Sequence, residues 1–252
     1  MTLIIAADTQ DHLILAGDHC AVLTQQSNPG APECVLTNYR KIYPWKYGAF
    51  AASGDVFLKI NFLRLFLKNV SDGGPINLAQ LAKTAKQIRT NSGVPPDIST
   101  GNIFFTAPGR VGFQLHCVSV KTDRILCEII KPLVTQFSSA DKLLEQAEYN
   151  AFNKQLRPAF FFDDIHAFHR HHLDLLTAFF AGYSAGDARV TASFDVCMLD
   201  KKTGIGTFWH MSKPPKQLAY VHLSEDESDA APGYPYYVGG IDNSLLAGLS
   251  CQ

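Results

Sequence analysis

Met1-Thr2-Leu3-Ile4-Ile5-Ala6-Ala7, answered downstream by Gly17-Asp18-His19 and by Tyr39-Arg40-Lys41-Ile42, is the stretch on which the reading of this chain turns. Leu3 to Ala7 is apolar and β-prone. Asp8-Thr9-Gln10-Asp11-His12 is polar turn material, and Leu13 to Ala16 is a second apolar run ending at Gly17. Two short strands around a tight polar turn make a hairpin. Removal of Met1 would leave Thr2 with a β-hydroxyl and a free α-amine, a nucleophile and a base on one residue.

Working outward, Ser27-Asn28-Pro29-Gly30-Ala31-Pro32 is a loop by composition. Lys41 to Trp45 and Tyr47 to Gly54 form a second hairpin, whose last strand is rich in Gly, Ala and Ser and lets another group approach its backbone. From Asp55 to Val70 the apolar residues fall at helical spacing, and Gly73-Gly74-Pro75 closes the segment. Leu58, Phe62 and Leu65 widen that helix's apolar surface, which predicts cover on more than one side. A second helix runs from Asn77, as cap, to Gly93. Strands return at Asn102 to Thr106, Val111 to Val120 and Arg124 to Ile130. Helical character resumes near Ser139 to Ala147 and again from Leu173 to Phe180, and the segment from Pro158 to His172 has no assignment. Phe194 to Leu199 and Ile205 to His210 are strands around a turn.

Runs of strands followed by runs of helices predict antiparallel sheets with helices outside. The expected class is α+β, a four-layer αββα sandwich of two antiparallel sheets between helix layers. Residues 2–222 read as one domain. Residues 223–252 read as an acidic, Pro-containing linker and an apolar tail that docks on its own or a neighbouring subunit.

The chain has 252 residues, 46% hydrophobic and 18% charged, with net charge −1. That balance gives no field to attract nucleic acid or acidic lipid. Apolar stretches are interrupted well short of a membrane span, and the short apolar run at the start reads as a strand, not a signal peptide. Six scattered cysteines without a CxxC pair read as buried free thiols in a reducing cytoplasm.

The amine of an exposed Thr2 would have a reference pKa of about 7.7–8.0, near the useful range for a general base. A nearby ammonium would hold that amine unprotonated and stabilise a developing alkoxide. Lys41 is the candidate ammonium, and Asp18 is the candidate carboxylate to keep its charge. Adjacent strand residues point to opposite faces, so of Asp18 and His19 only one faces such a site, and Asp18 is favoured. Cys20 shares its parity.

The order Thr2, hairpin, Gly17-Asp18-His19-Cys20-Ala21, Arg40-Lys41-Ile42, small-residue strand and apolar helix resembles the β-type subunits of the proteasome, which are N-terminal nucleophile (Ntn) hydrolases. The resemblance implies Thr2, Asp18 and Lys41 as the catalytic set. It implies Ala52, with Ser53 beside it, as the backbone serving the oxyanion, and Asp187 as a late support for the amine. A supporting serine is also implied, and Ser139 or Ser138 is placed for it. The chain departs from the family in having Val190-Thr191-Ala192 where Ser-Gly-Gly is usual, and Ala52 where glycine is common. The stretches near 150–175 and after 222 exceed the core fold.

The resemblance implies a threonine-type peptidase or amidase, needing no cofactor or metal. It would act on a peptide or protein inside a homo-oligomeric ring or stacked double ring. Two alternatives keep the fold: a ring-forming structural subunit without turnover, and an amidase for a small non-peptide amide. A third, different in class, is a metal protein using His166, His169, His171 and His172. Against it stands the plainer reading of those histidines as a polar helix end or exposed insertion. Phe160-Phe161-Phe162 is expected to be buried packing.

Overall fold

The computed structural model describes residues 3–23, 34–45, 47–71, 77–138, 146–211 and 216–221. Among these described residues thirteen strands run in order as β1 (Ile4–Asp8), β2 (His12–Asp18), β3 (Ala21–Leu23), β4 (Cys34–Leu36), β5 (Ile42–Trp45), β6 (Gly48–Gly54), β7 (Gly101–Gly109), β8 (Gly112–Val120), β9 (Ile125–Ile129), β10 (Val134–Ser138), β11 (Phe194–Asp200), β12 (Gly206–Met211) and β13 (Lys216–Val221). Helices α1 (Val56–Ser71) and α2 (Leu78–Asn91) follow β6, and α3 (Gln146–Asn153) and α4 (Ile165–Gly186) follow β10.

One antiparallel sheet has the order β10-β1-β2-β11-β12-β13 and a second the order β5-β6-β7-β8-β9, with β3 and β4 paired apart. Strand alternation sorts the core into three slabs. Ile5, Ala7, Ile14, Ala16, Val196 and Met198 pack against Phe152, Phe168, Leu176 and Phe180 of α3 and α4. Ile4, Ala6, Leu13 and Leu15 face Ile42, Ala49, Ala51 and Phe104 between the sheets. Phe50, Ala52, Ile103 and Phe105 pack on Leu58, Phe62 and Phe66 of α1 and on Ala82 and Ala85 of α2. The architecture is the expected αββα sandwich.

Helices α1, α2 and α4 start where polar caps satisfy their first N–H groups. Asp55 Oδ1 accepts from Phe57 N–H at 3.0 Å, Asn77 Oδ1 from Gln80 N–H at 3.0 Å, and Asp164 Oδ1 from Ala167 N–H at 2.7 Å. Asp55 also takes the Arg89 guanidinium on its other oxygen at 2.8 Å, which ties α2 to the start of α1.

Five expectations need correction. The stretch near 150–175 is not an excess: Phe152, Leu156 and Phe168 cover the outer face of the first sheet. The unassigned segment ends in α4, which begins at Ile165, eight residues before the expected start. Of its histidines, His166 is exposed in the first turn of α4, as a polar helix end would be, but His172 is fully buried. Its Nδ1 donates to Phe168 O at 2.9 Å, its Nε2 accepts from Arg157 N–H, and burial lowers its pKa to about 4. A neutral imidazole packs there as an aromatic ring. Finally, Phe160 and Phe161 are exposed, and Cys127 is exposed while Cys20, Cys117 and Cys197 are buried. No described helix is long and apolar enough to cross a membrane. The expected linker and tail at 223–252 lie outside the described residues.

Candidate active site

Antiparallel pairing places Ile4 opposite Gly17, so the start of β1 lies against the end of β2. There Asp18 N–H donates to Leu3 O at 3.2 Å, and Leu3 N–H donates to Asp18 Oδ1 at 2.8 Å. One carboxylate therefore fixes the backbone next to residue 2. Thr2 itself lies outside the described residues.

Lys41 stands just before β5 on the second sheet, and its Nζ donates to the same Asp18 Oδ1. Both side chains are buried, at 1% and 0% exposure. Asp18 Oδ2 accepts from Cys20 N–H at 2.9 Å and from Thr191 N–H at 3.3 Å. The carboxylate thus has three backbone donors besides the ammonium, which is what a buried charge requires.

Gly17 makes the approach possible. A Cβ there would meet Lys41 Cβ and Ile42 Cδ1, each at 3.2 Å. Without it the Lys41 side chain lies against the β2 backbone and reaches the neighbouring carboxylate.

Burial lowers the Lys41 pKa to about 8, although Asp18 pulls the other way by charge and hydrogen bond. An ammonium so placed can change protonation near neutral pH and supply positive charge in a site of low polarity. Burial and the Asp18 charge raise the Cys20 thiol, which lowers its thiolate content and leaves it a packed residue.

Asp187 caps the C-terminus of α4. Burial would raise its carboxyl, but the Arg189 backbone N–H and guanidinium, both on Oδ1, hold it below the ordinary range. The segment after it reaches the centre: Thr191 N–H meets Asp18, and Thr191 Oγ1 accepts from His19 N–H at 2.8 Å. Thr191 was seen in the sequence only as a departure from Ser-Gly-Gly. Its spacing after Asp187 was the available signal.

Ala52 and Ser53 lie on β6, past Ile42↔Ala51, the last described pair with β5. Pairing with β7 continues to Gly54↔Gly101, so residues 52–54 have a strand edge that β5 does not cover. The Ala52 side chain points into the helix-side core. Ser53 Oγ instead meets Ser138 Oγ at the end of β10. Ser138 also accepts from Asn102 Nδ2 at 2.8 Å, and Asn102 Oδ1 accepts from Ser119 Oγ at 2.7 Å. This hydroxyl–amide chain joins the two sheets and was not anticipated. Ser139 lies outside the described residues, and Ser138 faces Ile4 across β1.

His19, the neighbour of Asp18, turns elsewhere. Its ring stacks on His210 with centroids 4.7 Å apart, beside the buried Asp195 carboxylate. Arg40 Nε also reaches Asp195, at 3.1 Å.

No protein-family model matches the chain, and no curated protein matches it in sequence. Solved structures do match its fold. A mutant Anbu protein from Hyphomicrobium sp. strain MC1 superposes with a TM-score of 0.56 at 12% identity, covering 99% of this chain and 95% of that one. Anbu (ancestral beta-subunit) from Yersinia bercovieri superposes with a TM-score of 0.54 at 11% identity, covering 99% and 97%. The described residues therefore have the fold of the proteasome-β-like Ntn hydrolases.

Proposed function

We propose that the chain is a threonine-type peptidase or amidase acting from residue 2, assembled as a homo-oligomeric ring with its sites inside. The observation that carries this reading is the buried Lys41–Asp18 pair, hydrogen-bonded to Leu3 N–H one residue beyond Thr2. With Met1 removed, the Thr2 hydroxyl attacks the amide carbonyl carbon while its proton passes to the α-amine, directly or through water. The resulting oxyanion is held by backbone donors near Ala52 and Ser53. Collapse expels the amine product, which takes that proton, and leaves an ester on Thr2. Water then cleaves the ester and restores the hydroxyl. Lys41 keeps the α-amine unprotonated by its charge, Asp18 holds Lys41, and Asp187 and a serine at 138 or 139 support the terminus.

One observation favours a second reading, a ring subunit without turnover: Asp187 Oδ1 is already engaged twice by Arg189. A single experiment separates the two. Intact-mass measurement should find Met1 absent, and a threonine-directed epoxyketone should add its mass to Thr2. Thr2→Ala should abolish both adduct and amide hydrolysis while leaving the assembly unchanged. Retained Met1, or no adduct on a free Thr2, would defeat the catalytic reading.

A further inference from the structure

The region beside Lys41–Asp18 holds a second polar cluster that the proposed reaction does not use. Asp195 lies on β11, with Gly17 of β2 and His210 of β12 as its cross-strand partners. These three positions share the parity of Leu15, Cys197 and Phe208, which face the second sheet. His19 follows β2, and Arg40 enters from the other sheet. The cluster therefore closes one end of the inter-sheet core.

Its donor atoms converge. His19 Nε2 and His210 Nδ1 lie 3.2 and 2.7 Å from Asp195 Oδ1. One available atom from each of the three side chains lies within 4.8 Å of the others. His19 is only 5% exposed, and its Nε2 is buried without a hydrogen-bond partner, the 3.2 Å approach to Asp195 included. A buried ring nitrogen left this way is costly unless something else binds it. Its other nitrogen, Nδ1, is 3.1 Å from Ser193 Oγ. With the proton on Nδ1 and Ser193 accepting it, Nε2 presents a lone pair toward His210 and Asp195. Metal-bound histidines are held in the same way, by a partner on the nitrogen that does not bind the ion.

We propose that His19 Nε2, His210 Nδ1 and Asp195 Oδ1 form a binding site for a transition-metal dication of the zinc class. Two imidazoles and one carboxylate favour such an ion over calcium or magnesium, which take all-oxygen shells. Ligand atoms on a tetrahedral zinc with bonds of about 2.0–2.2 Å stand roughly 3.4 Å apart. The His19–Asp195 separation is close to that. The His210–Asp195 contact is a hydrogen bond that opens by roughly 0.7 Å as the ion replaces the shared proton. Arg40 on Oδ2 leaves Oδ1 as the monodentate ligand. The half-exposed His210 edge supplies the entry path and room for water as fourth ligand. The histidines of α4 are not part of this site: His171 Nε2 meets Gln155 O at 2.8 Å, and His172 has both nitrogens engaged.

The test uses the untagged full chain, stripped with a chelator and then titrated with zinc in a competition assay. A parallel cobalt titration reports geometry through its visible spectrum. The expected result is one ion per chain and a tetrahedral cobalt spectrum. His210→Gln keeps the volume of the ring and a polar contact to Asp195. It should weaken zinc by more than the roughly 10–100-fold that loss of an outer partner costs. Ser193→Ala should weaken it by about tenfold, since it removes only that outer partner. His171→Ala should change nothing. The proposal is overturned if the wild-type chain binds less than one zinc. It is equally overturned if folded His210→Gln binds as tightly as wild type, or if His171→Ala removes the ion.

Discussion

Replacing Asp18 by Asn keeps the side chain's size and one oxygen for Leu3 N–H, and removes the charge opposite Lys41. The expected loss follows from the burial of that lysine. Its pKa is already lowered from 10.5 to about 8, with Asp18 holding it up against desolvation. At about 1.36 kcal/mol per pH unit, protonated Lys41 is disfavoured by roughly 3 kcal/mol even with its partner present. Breaking one side of a buried pair costs about 3–5 kcal/mol, so Asp18→Asn should fall in that range near neutral pH. Lys41→Met should cost less, about 1–2 kcal/mol, because it removes the desolvated ammonium and leaves Asp18 with three backbone donors. The double variant should lose less than the sum of the singles by more than about 1 kcal/mol. Urea unfolding at pH 7 and fixed protein concentration measures all three. The pH dependence gives an independent check. The folded state releases the Lys41 proton near pH 8 and the unfolded state near 10.5. The penalty is therefore complete below pH 8 and disappears between those values, so wild type should gain stability on Lys41→Met as pH rises through that window. An Asp18→Asn cost no larger than that of Lys41→Met, or a flat wild-type–Lys41→Met difference between pH 8 and 10, would refute the reasoning.

Gly17→Ala places a methyl 3.2 Å from Lys41 Cβ and Ile42 Cδ1. It should destabilise by about 1–3 kcal/mol in thermal unfolding and lower the rate of any adduct formation at Thr2. Asn102→Ala removes two of the three bonds of the Ser53–Ser138–Asn102–Ser119 chain, and should cost about 1–3 kcal/mol by urea unfolding. His172 is buried neutral, with its pKa lowered to about 4 from 6.5. The unfolded state binds that proton first, so His172 should cost up to roughly 3 kcal/mol of stability as pH drops from 6.5 toward 4, and His172→Leu should remove that share of the slope while leaving the share of His169, whose pKa is also lowered to about 4.

Much of the fold was legible because its strands are short apolar runs bounded by turn residues and its first two helices are capped and amphipathic. Val134–Ser138 was missed because Thr-Gln-Phe has no plain alternation, yet it pairs with β1 along Ile4–Asp8. The start of α4 was missed for a different reason. His166, His169, His171 and His172 look polar in the sequence, but burial keeps His169 and His172 neutral, with both pKa values lowered to about 4. Hydropathy assigned to a type of residue cannot anticipate that. At the site, Asp18 and Lys41 could be named from strand ends and from resemblance, whereas Thr191 and Asn102 act through backbone and amide contacts made across long separations in sequence.

Asp18 explains why those separate segments matter together. Its two oxygens bind the start of β1, the turn after β2, the segment beyond α4 and the lysine that opens β5. Three of these partners are backbone N–H groups that cannot titrate, so they fix the direction of the carboxylate. Lys41 is the only partner of the four that can gain or lose a proton. A change in charge among the partners of Asp18 is therefore confined to Lys41, while the backbone around the carboxylate is held by bonds that the change does not break. That separation of a rigid frame from one titrating group is what a tuned N-terminal amine needs. It also means that substituting Lys41 should alter the chemistry at residue 2 more than the fold, and substituting Asp18 should alter both.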